Sequence, residues 1–395
     1  MSKIILPIIF LIIITSCFNN RKRSEPDLNL EKATATLDSL YQYYEVGEKN
    51  LLYTFPQGND VTDIKGQNIQ SSETGLYAAL WPYSGTLSAL SALLETTNDR
   101  QYLDIIESKV LPGLDNYLDT LNNSGAYLSH IKGELPLERS YEDNIWLGID
   151  LTDIYLRTKE TAYLERAKSI WGFVIAGMDE ELGGGIYRSE QKKEIKSTCA
   201  NGAGAIFALK MFNATKDSTY FNYGQFLYEW TKKTMQDSKD YLYYDSVDKN
   251  RIYAKAKYAY NSGVMLQSAV MLYKLTEDNA YMVDAQRLAS AAYNYFFDDF
   301  ESKDGYRFKL LRKGNVWSVA VLLRGYTELF HIDGNSLYVD DFNNNLAHAW
   351  TNMRDADGLF GTDWSGADKK HIKWLLTEAA MVEMYARMEK IRRTE

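Results

Sequence analysis

Apolar and polar positions along this chain fall into two kinds of helical segment. One kind is apolar on almost every side. Gly202 to Phe212 reads GAGAIFALKMF and Val319 to Phe330 reads VAVLLRGYTELF, and helices with so few polar positions are buried nearly all round. The other kind is amphipathic. Tyr163 to Val174 places Leu164, Ala167, Ile170, Trp171 and Val174 on one stripe, with Glu165, Arg166 and Lys168 outside it, the spacing of a helix with one buried face. The first kind is expected to line the inside of a closed structure and the second to form its outer wall.

The two kinds alternate with a long period. Six stretches precede the apolar helices: Trp81-Pro82-Tyr83-Ser84-Gly85, Tyr141-Glu142-Asp143-Asn144, Asn201-Gly202, Tyr260-Asn261-Ser262-Gly263, Trp317-Ser318 and Lys373-Trp374. From Tyr83 through Asp143, Asn201, Asn261 and Trp317 to Lys373 the steps are 60, 58, 60, 56 and 56 residues. Such a period exceeds the common solenoid units and fits a helical hairpin plus a loop. Between these stretches a polar turn precedes a tyrosine at Tyr102, Tyr163, Tyr220, Tyr281 and Tyr338. Its Asp, Asn and Thr residues suit helix caps, and the tyrosines are expected to pack between neighbouring hairpins.

Inner helices then begin near positions 84, 143, 202, 262, 318 and 373, and outer helices near 100, 161, 218, 279 and 336. The missing outer helix is supplied by Leu28 to Val46, which can pair with the last inner one and zip the ring shut. The expected fold is all-α, an (α/α)6 toroid, formed by residues 28–395 as one domain. Short β-hairpins are expected at Gly183–Tyr187 and Tyr241–Tyr253. All inner helices run the same way, so the six stretches meet at one mouth.

The N-terminus is a targeting segment. Lys3 precedes an apolar run from Ile4 to Ile14, too short for a stable transmembrane helix. It ends in Ile14-Thr15-Ser16-Cys17, which resembles the lipobox of bacterial lipoproteins. The resemblance implies a signal peptide over residues 1–17, acylation of Cys17 and a lipid anchor. Residues 18–27 are read as a polar tether, and the protein is expected at the cell envelope, on the periplasmic or cell-surface face of an outer membrane. Cys199 is the only other cysteine; with Cys17 lipidated no intrachain disulfide can form, and Cys199 is read as a small buried residue.

Composition narrows the chemistry. A net charge of -9 offers no basic field for nucleic acid. The 30 Tyr and 8 Trp chiefly fill the core, yet they also suit a carbohydrate ligand. The four His, at 130, 331, 348 and 371, show no ligand spacing, and HExxH, CxxC, P-loop and GxGxxG motifs are absent. No metal and no cofactor are expected, and the protein is expected to be a monomer.

The candidate for chemistry is Glu142-Asp143. Carboxylates at a helix N-terminus are stabilised by its free amides and dipole, and helix capping alone is the plain alternative for Asp143. Two adjacent acids facing a mouth that also offers Trp81, Tyr83, Asn144, Asn201, Tyr260, Asn261 and Trp317 suit glycosidic hydrolysis, which needs two carboxyls. Those seven are the candidate substrate-binding residues. Asp298-Asp299 is read as a terminator at the opposite end of the ring, and Asp179-Glu180-Glu181 as solvated.

The stretches LWPYSGTLSALSAL (Leu80 to Leu93), YEDNIWLGIDL (Tyr141 to Leu151), GGGIY (Gly183 to Tyr187), NGAGAIFAL (Asn201 to Leu209), YNSGVML (Tyr260 to Leu266), VLLRGYTELF (Val321 to Phe330), DGLFGTDWSG (Asp357 to Gly366) and KWLLTEAAMVEMYAR (Lys373 to Arg387) resemble, in order, glycoside hydrolase family 76. The resemblance covers roughly residues 30–390. It implies an (α/α)6 toroid and a cofactor-free, endo-acting α-1,6-mannanase that retains configuration, with α-mannan as the partner. It further implies Glu142 as nucleophile and Asp143 as acid/base, from the family's adjacent Asp-Asp pair. The chain departs at the first position: Glu142 carries one more methylene than Asp, which moves a carboxylate by roughly 1 Å, a displacement that can cost about 100-fold. A non-catalytic mannan-binding lipoprotein on the same fold, or a toroid enzyme for another polysaccharide, remain open alternatives.

Overall fold

The computed structural model describes residues 28–47, 49–56, 77–119, 125–132, 137–368 and 372–394. The chain opens with α1 (Leu28–Tyr44), β1 (Glu45–Val46) and β2 (Leu51–Leu52). Then come α2 (Leu80–Thr97), α3 (Arg100–Ile105), a π turn at Ile106–Val110 and α4 (Leu111–Leu114). They are followed by α5 (Tyr141–Thr158), α6 (Thr161–Ile175), β3 (Ile195–Ser197), α7 (Thr198–Thr215) and α8 (Ser218–Met235). The rest is β4 (Ser246–Asp248), β5 (Tyr253–Ala254), α9 (Ala259–Thr276), α10 (Asn279–Phe296), β6 (Phe297–Glu301), β7 (Arg307–Leu311), α11 (Val316–Asp333), α12 (Leu337–Asn352) and α13 (Leu375–Thr394).

Helices α2, α5, α7, α9, α11 and α13 pack in that order into a ring, with α13 closing against α2. The others form the outer wall, and α1 packs on α13. The terminal helices therefore close the (α/α)6 toroid, as the repeat pattern requires. The inner helices touch closely: a methyl on Gly263 of α9 would lie 2.4 Å from the Val321 carbonyl oxygen of α11, and one on Gly325 would lie 2.9 Å from that of Gly263. Only glycine allows two backbones so near.

The reversals between inner and outer helices are built from sequence-local chemistry. Thr97-Asn98-Asp99, Thr158-Lys159-Glu160, Thr215-Lys216-Asp217 and Thr276-Glu277-Asp278 repeat one device. Each Thr hydroxyl accepts from the acid's backbone N–H at 3.1–3.2 Å. The middle residue sits in the left-handed region, with φ between 56° and 64°, which ends the helix. Asp99, Asp217 and Asp278 then cap the next helix by accepting from the N–H two residues on. The tyrosines after these turns do pack between hairpins. Tyr281 meets Tyr228 with ring centroids 5.5 Å apart, and Tyr338 stacks on Tyr326 at 4.6 Å.

The connections on the mouth side are longer and carry the strands. β3–β4–β5 form an antiparallel sheet, with β4–β5 inside the expected Tyr241–Tyr253 hairpin. Gly183–Tyr187 forms no strand of its own. It is a left-handed glycine turn, tied down through Met178↔Ile186 and Tyr187↔Lys196 bridges. The β6–β7 hairpin corrects the reading of Asp298-Asp299. Both lie on β6, opposite Leu310 and Lys309, and β7 leads directly into the start of α11. They are therefore on the mouth side of the ring, where Arg312 grips Asp298 at 2.8 and 3.0 Å. Asp179 is likewise not merely solvated, since it accepts from the fully buried Lys196 Nζ at 2.7 Å.

Cys17 and the 18–27 tether lie outside the described residues. Among the described residues no helix is long and apolar enough to cross a membrane.

Candidate active site

The site is assembled on the first turn of α5. Ser140 caps it, accepting from the Asp143 N–H at 3.1 Å. The Tyr141 N–H bonds to the Arg188 carbonyl at 3.0 Å, which pins this helix start to the segment before β3. Successive helical residues diverge by about 100°, so Glu142 and Asp143 leave the turn in different directions. Glu142 reaches towards α7, where Ser197 Oγ donates to its Oε2 at 3.3 Å. Asp143 turns to the opposite flank, where Ser129 Oγ donates to its Oδ2 at 3.2 Å. The Ser129 carbonyl in turn accepts from Leu80 at the start of α2. The two carboxyls thus stand on two sides of one mouth.

Burial raises the proton affinity of both. Burial, then the charge of Glu142, pushes Asp143 up to about 7. Burial also raises Glu142, and the Arg188 guanidinium, the Cys199 thiol and the Ser197 hydroxyl beside it only partly offset this. Arg188, held above its ordinary value chiefly by Glu142, also feels Asp245, Asp143 and Tyr260. Asp245 accepts from the Tyr260 hydroxyl at 3.0 Å. Its backbone is fixed between Ala254 on β5 and Thr198 at the start of α7. The arrangement sets Glu142 beside an Arg and next to a carboxyl that keeps or yields its proton near 7, a pairing that suits acid/base chemistry.

The floor is aromatic. Trp317 sits at the hub, with ring centroids 5.0 Å from Trp81, 5.1 Å from Trp146 and 5.9 Å from Tyr260. Trp374 packs edge-on against Trp81, and Tyr258 stacks on Tyr260. These rings come from α2, α5, α9, α11 and the segment before α13, so the ring closure brings them together. The indole nitrogens of Trp81, Trp146 and Trp374, both amide atoms of Asn261 and the Ser262 hydroxyl are buried without a hydrogen-bond partner among the described residues. Buried polar groups normally find partners, and six such atoms fall in this one layer of the ring.

The structure gathers Glu142, Asp143, Trp81, Tyr260 and Trp317, places the wholly buried Asn261 beside Tyr260 on α9, and ties three other candidates into the scaffold. Tyr83 is locked into the packing: its hydroxyl donates to the Asn50 carbonyl at 2.6 Å and its ring packs on Tyr117. Asn144 is a staple, with Oδ1 accepting from the Tyr127 N–H at 2.8 Å and Nδ2 donating to the Tyr127 and Ser140 carbonyls. Asn201 makes the same staple to Ile186 and Ser197. Each amide is consumed by backbone and has nothing left for a sugar. Lys373 pairs with Asp355 and Asp357. Arg188, Asp245, Ser129 and Ser197 are the residues the sequence did not single out; they lie in loops and strand ends that carry no helical period. Trp146 and Trp374 were visible beside the mouth stretches. Among the described residues no group of three or more His, Cys, Asp or Glu could hold a metal ion.

One consequence is a stability change with a definite sign. Asp143 binds its proton more tightly folded than unfolded, so its ionisation opposes folding. The penalty is absent below the ordinary carboxylate range near 4 and complete above about 7. Asp143→Asn is expected to raise the melting temperature at pH 8, by the equivalent of a few kcal/mol on the order of, and to leave it nearly unchanged at pH 4. Thermal melts of both proteins across this range check it; parallel curves would remove the burial penalty from Asp143.

The sequence matches the family model for glycosyl hydrolase family 76 over residues 31–309. Among solved structures, the family 76 mannosidase Bt3792 of Bacteroides thetaiotaomicron is similar at 30% identity and a TM-score of 0.83, covering 93% of this chain and 99% of that one. A family 76 glycoside hydrolase from a bovine Bacteroides thetaiotaomicron strain is similar at 28% identity and a TM-score of 0.83, covering 92% and 78%. The GH76A α-1,6-mannanase of Salegentibacter shares the fold at 22% identity and a TM-score of 0.73, covering 92% and 99%. A search of curated proteins finds no match. With a ring of six hairpins, an acidic pair at its mouth and a family match over most of its length, the chain belongs to glycosyl hydrolase family 76, a family of glycosidases.

Proposed function

We propose that this protein cleaves the backbone of α-1,6-mannan internally, with retention of configuration, using Glu142 as nucleophile and Asp143 as acid/base. The observation that carries this is the divergence of the two neighbouring carboxyls, Glu142 held by Ser197 beside Arg188 and Asp143 held by Ser129 and titrating near 7. Asp143 gives its proton to the glycosidic oxygen as the bond from C1 breaks, and the Glu142 carboxylate attacks C1 to form a glycosyl ester. The Asp143 carboxylate then takes a proton from water, whose oxygen attacks C1 and releases Glu142. The tryptophan floor suits the apolar faces of the sugar rings.

Relatives support the substrate. The similar Bacteroides protein is a mannosidase, and the Salegentibacter α-1,6-mannanase has inactive variants, altered at two adjacent aspartates, in complex with α-1,6-mannotriose and mannotetrose. The test is incubation with linear α-1,6-mannan, with product sizing and NMR of the first anomer released. Oligosaccharides of mixed length in the α form are expected. Release of mannose alone or of the β anomer would overturn the endo or retaining assignment, and binding without turnover would make the protein a mannan-binding module.

We also propose that Cys17 is acylated and anchors the protein at the cell envelope, on the strength of the run from Ile4 to Cys17. Cys17→Ser is expected to leave the precursor uncleaved or release soluble protein. Mass spectrometry finding an unmodified Cys17 in a soluble mature protein would end the idea.

A further inference from the structure

Glu142 differs from its neighbour Asp143 in where its carboxylate is held. It leaves its own helix and meets the first turn of α7, the next helix of the ring. There Ser197 Oγ donates to Oε2 at 3.3 Å, while the same hydroxyl oxygen accepts the Ala200 N–H at 3.1 Å. Accepting from the backbone fixes the hydroxyl and leaves its proton for Glu142. Cys199, two residues further along and only 1% exposed, packs its thiol beside the same carboxylate.

The support beneath this contact is rigid. Ser197 is paired with Ser246 across the β3–β4 ladder. The Thr198 hydroxyl donates to the Tyr244 carbonyl at 2.6 Å, and its N–H to that of Asp245 at 2.9 Å. Asn201 donates back to the Ser197 carbonyl at 2.8 Å. The start of α7 therefore cannot move towards α5 to follow a shorter side chain.

We propose that Ser197 and Cys199 are positioning residues that cradle the Glu142 carboxylate, and that this cradle makes Glu, rather than the shorter Asp, the residue that fits here. The proposal rests on the reading of Glu142 as nucleophile. With Ser197 holding Oε2, Oε1 is left to meet C1. An Asp at 142 would draw the carboxylate back by roughly 1 Å, and the Ser197 contact, already 3.3 Å long, would be lost. Both donors favour the ionised carboxylate, the form that attacks.

The test is a double-mutant cycle, with Ser197→Ala/Cys199→Ala placed in the parent and in the Glu142→Asp background. Turnover is followed on α-1,6-mannan. Titration of Glu142 is followed by carbon-13 NMR of glutamate-labelled protein, its signal assigned by its loss in Glu142→Asp. In the parent the pair is expected to lower kcat by about 10- to 100-fold with KM little changed, and to raise the Glu142 titration midpoint. In the Glu142→Asp background it should cost much less, and Cys199→Ser, which keeps a donor, should largely restore the Cys199→Ala loss. Removing Ser197 weakens the cap of α7 equally in both backgrounds, so equal losses would reduce Ser197 and Cys199 to structural roles and overturn the proposal, as would an unmoved titration. If the parent shows no turnover, the functional reading fails, and the titration alone decides the cradle.

Discussion

Glu142→Gln is expected to lower turnover of α-1,6-mannan by a factor on the order of 10⁴ or more, while mannan binding stays measurable. The amide keeps the size of the side chain but cannot form the glycosyl ester, because only the ionised carboxylate is the nucleophile. Asp143→Asn is expected to be severe on mannan and milder on substrates with good leaving groups, which need little acid assistance. The pH profile separates the two roles. In the parent, kcat/KM should fall above about pH 7, as Asp143 loses the proton it donates, and on the acid side as Glu142 takes one up. Asp143→Asn should remove the alkaline limb. Reducing-end release, affinity and pH profiles for the three proteins on one mannan preparation check this. Turnover unaffected by Glu142→Gln would take Glu142 out of the mechanism.

Glu383→Gln is expected to have the largest effect on stability. Beneath the tryptophan floor the ring's axis is ionic. Arg324 of α11 grips Glu383 of α13 at 2.6 and 2.7 Å, and Arg387 adds a bond at 2.6 Å, with Glu383 and Arg324 almost fully buried. Arg324 also lies 5.3 Å from the Trp146 ring, which ties this layer to the mouth. Burial alone would raise Glu383, but the two guanidiniums outweigh it and hold the carboxyl down at about 2. A carboxyl lowered in the folded state stabilises above its ordinary range near 4.5, and the benefit is lost as pH falls through the folded value. Glu383→Gln takes the paired anion from the buried Arg324 and leaves Arg387 only Glu95, which costs about 3–5 kcal/mol. Replacing Arg324, Glu383 and Arg387 together by apolar residues of similar size should cost less, since the ion triad goes as a unit and the buried Asp150, which loses Arg324, keeps its Ser88 partner. Chemical denaturation at pH 7 checks both. A loss under about 1 kcal/mol for Glu383→Gln, within the range of an exposed pair, would show that water reaches the axis.

The architecture was legible because its causes are local. The Thr-x-Asp/Glu turns, the capping acids and the switch from apolar to amphipathic helices each act within a few residues, and together they set six hairpins and the role of α1. Features built on contacts between distant residues were not legible. The β6–β7 hairpin turned Asp298 and Asp299 from a terminator at the far end into a mouth-side ribbon. Asp245 and Arg188 enter the site only because β3–β4–β5 and the glycine turn carry them there.

The asparagines show the limit most sharply. Asn144, Asn201 and Asn261 sit alike, near the starts of inner helices. Asn144 and Asn201 spend their amides on backbone 17 and 15 residues away and on the carbonyl four residues before, whereas neither amide atom of Asn261 has a partner among the described residues. By itself the sequence determined the helix count, the shared direction of the inner helices and the acidic pair on α5, since periodicity and capping are local. Only the tertiary structure decided which mouth residues are tied to backbone, that Tyr83 is locked to Asn50, and that Glu142 docks at the start of α7. Those outcomes depend on what the closing ring places opposite each side chain, and a backbone carbonyl far along the chain competes for the same hydrogen bonds as a sugar hydroxyl.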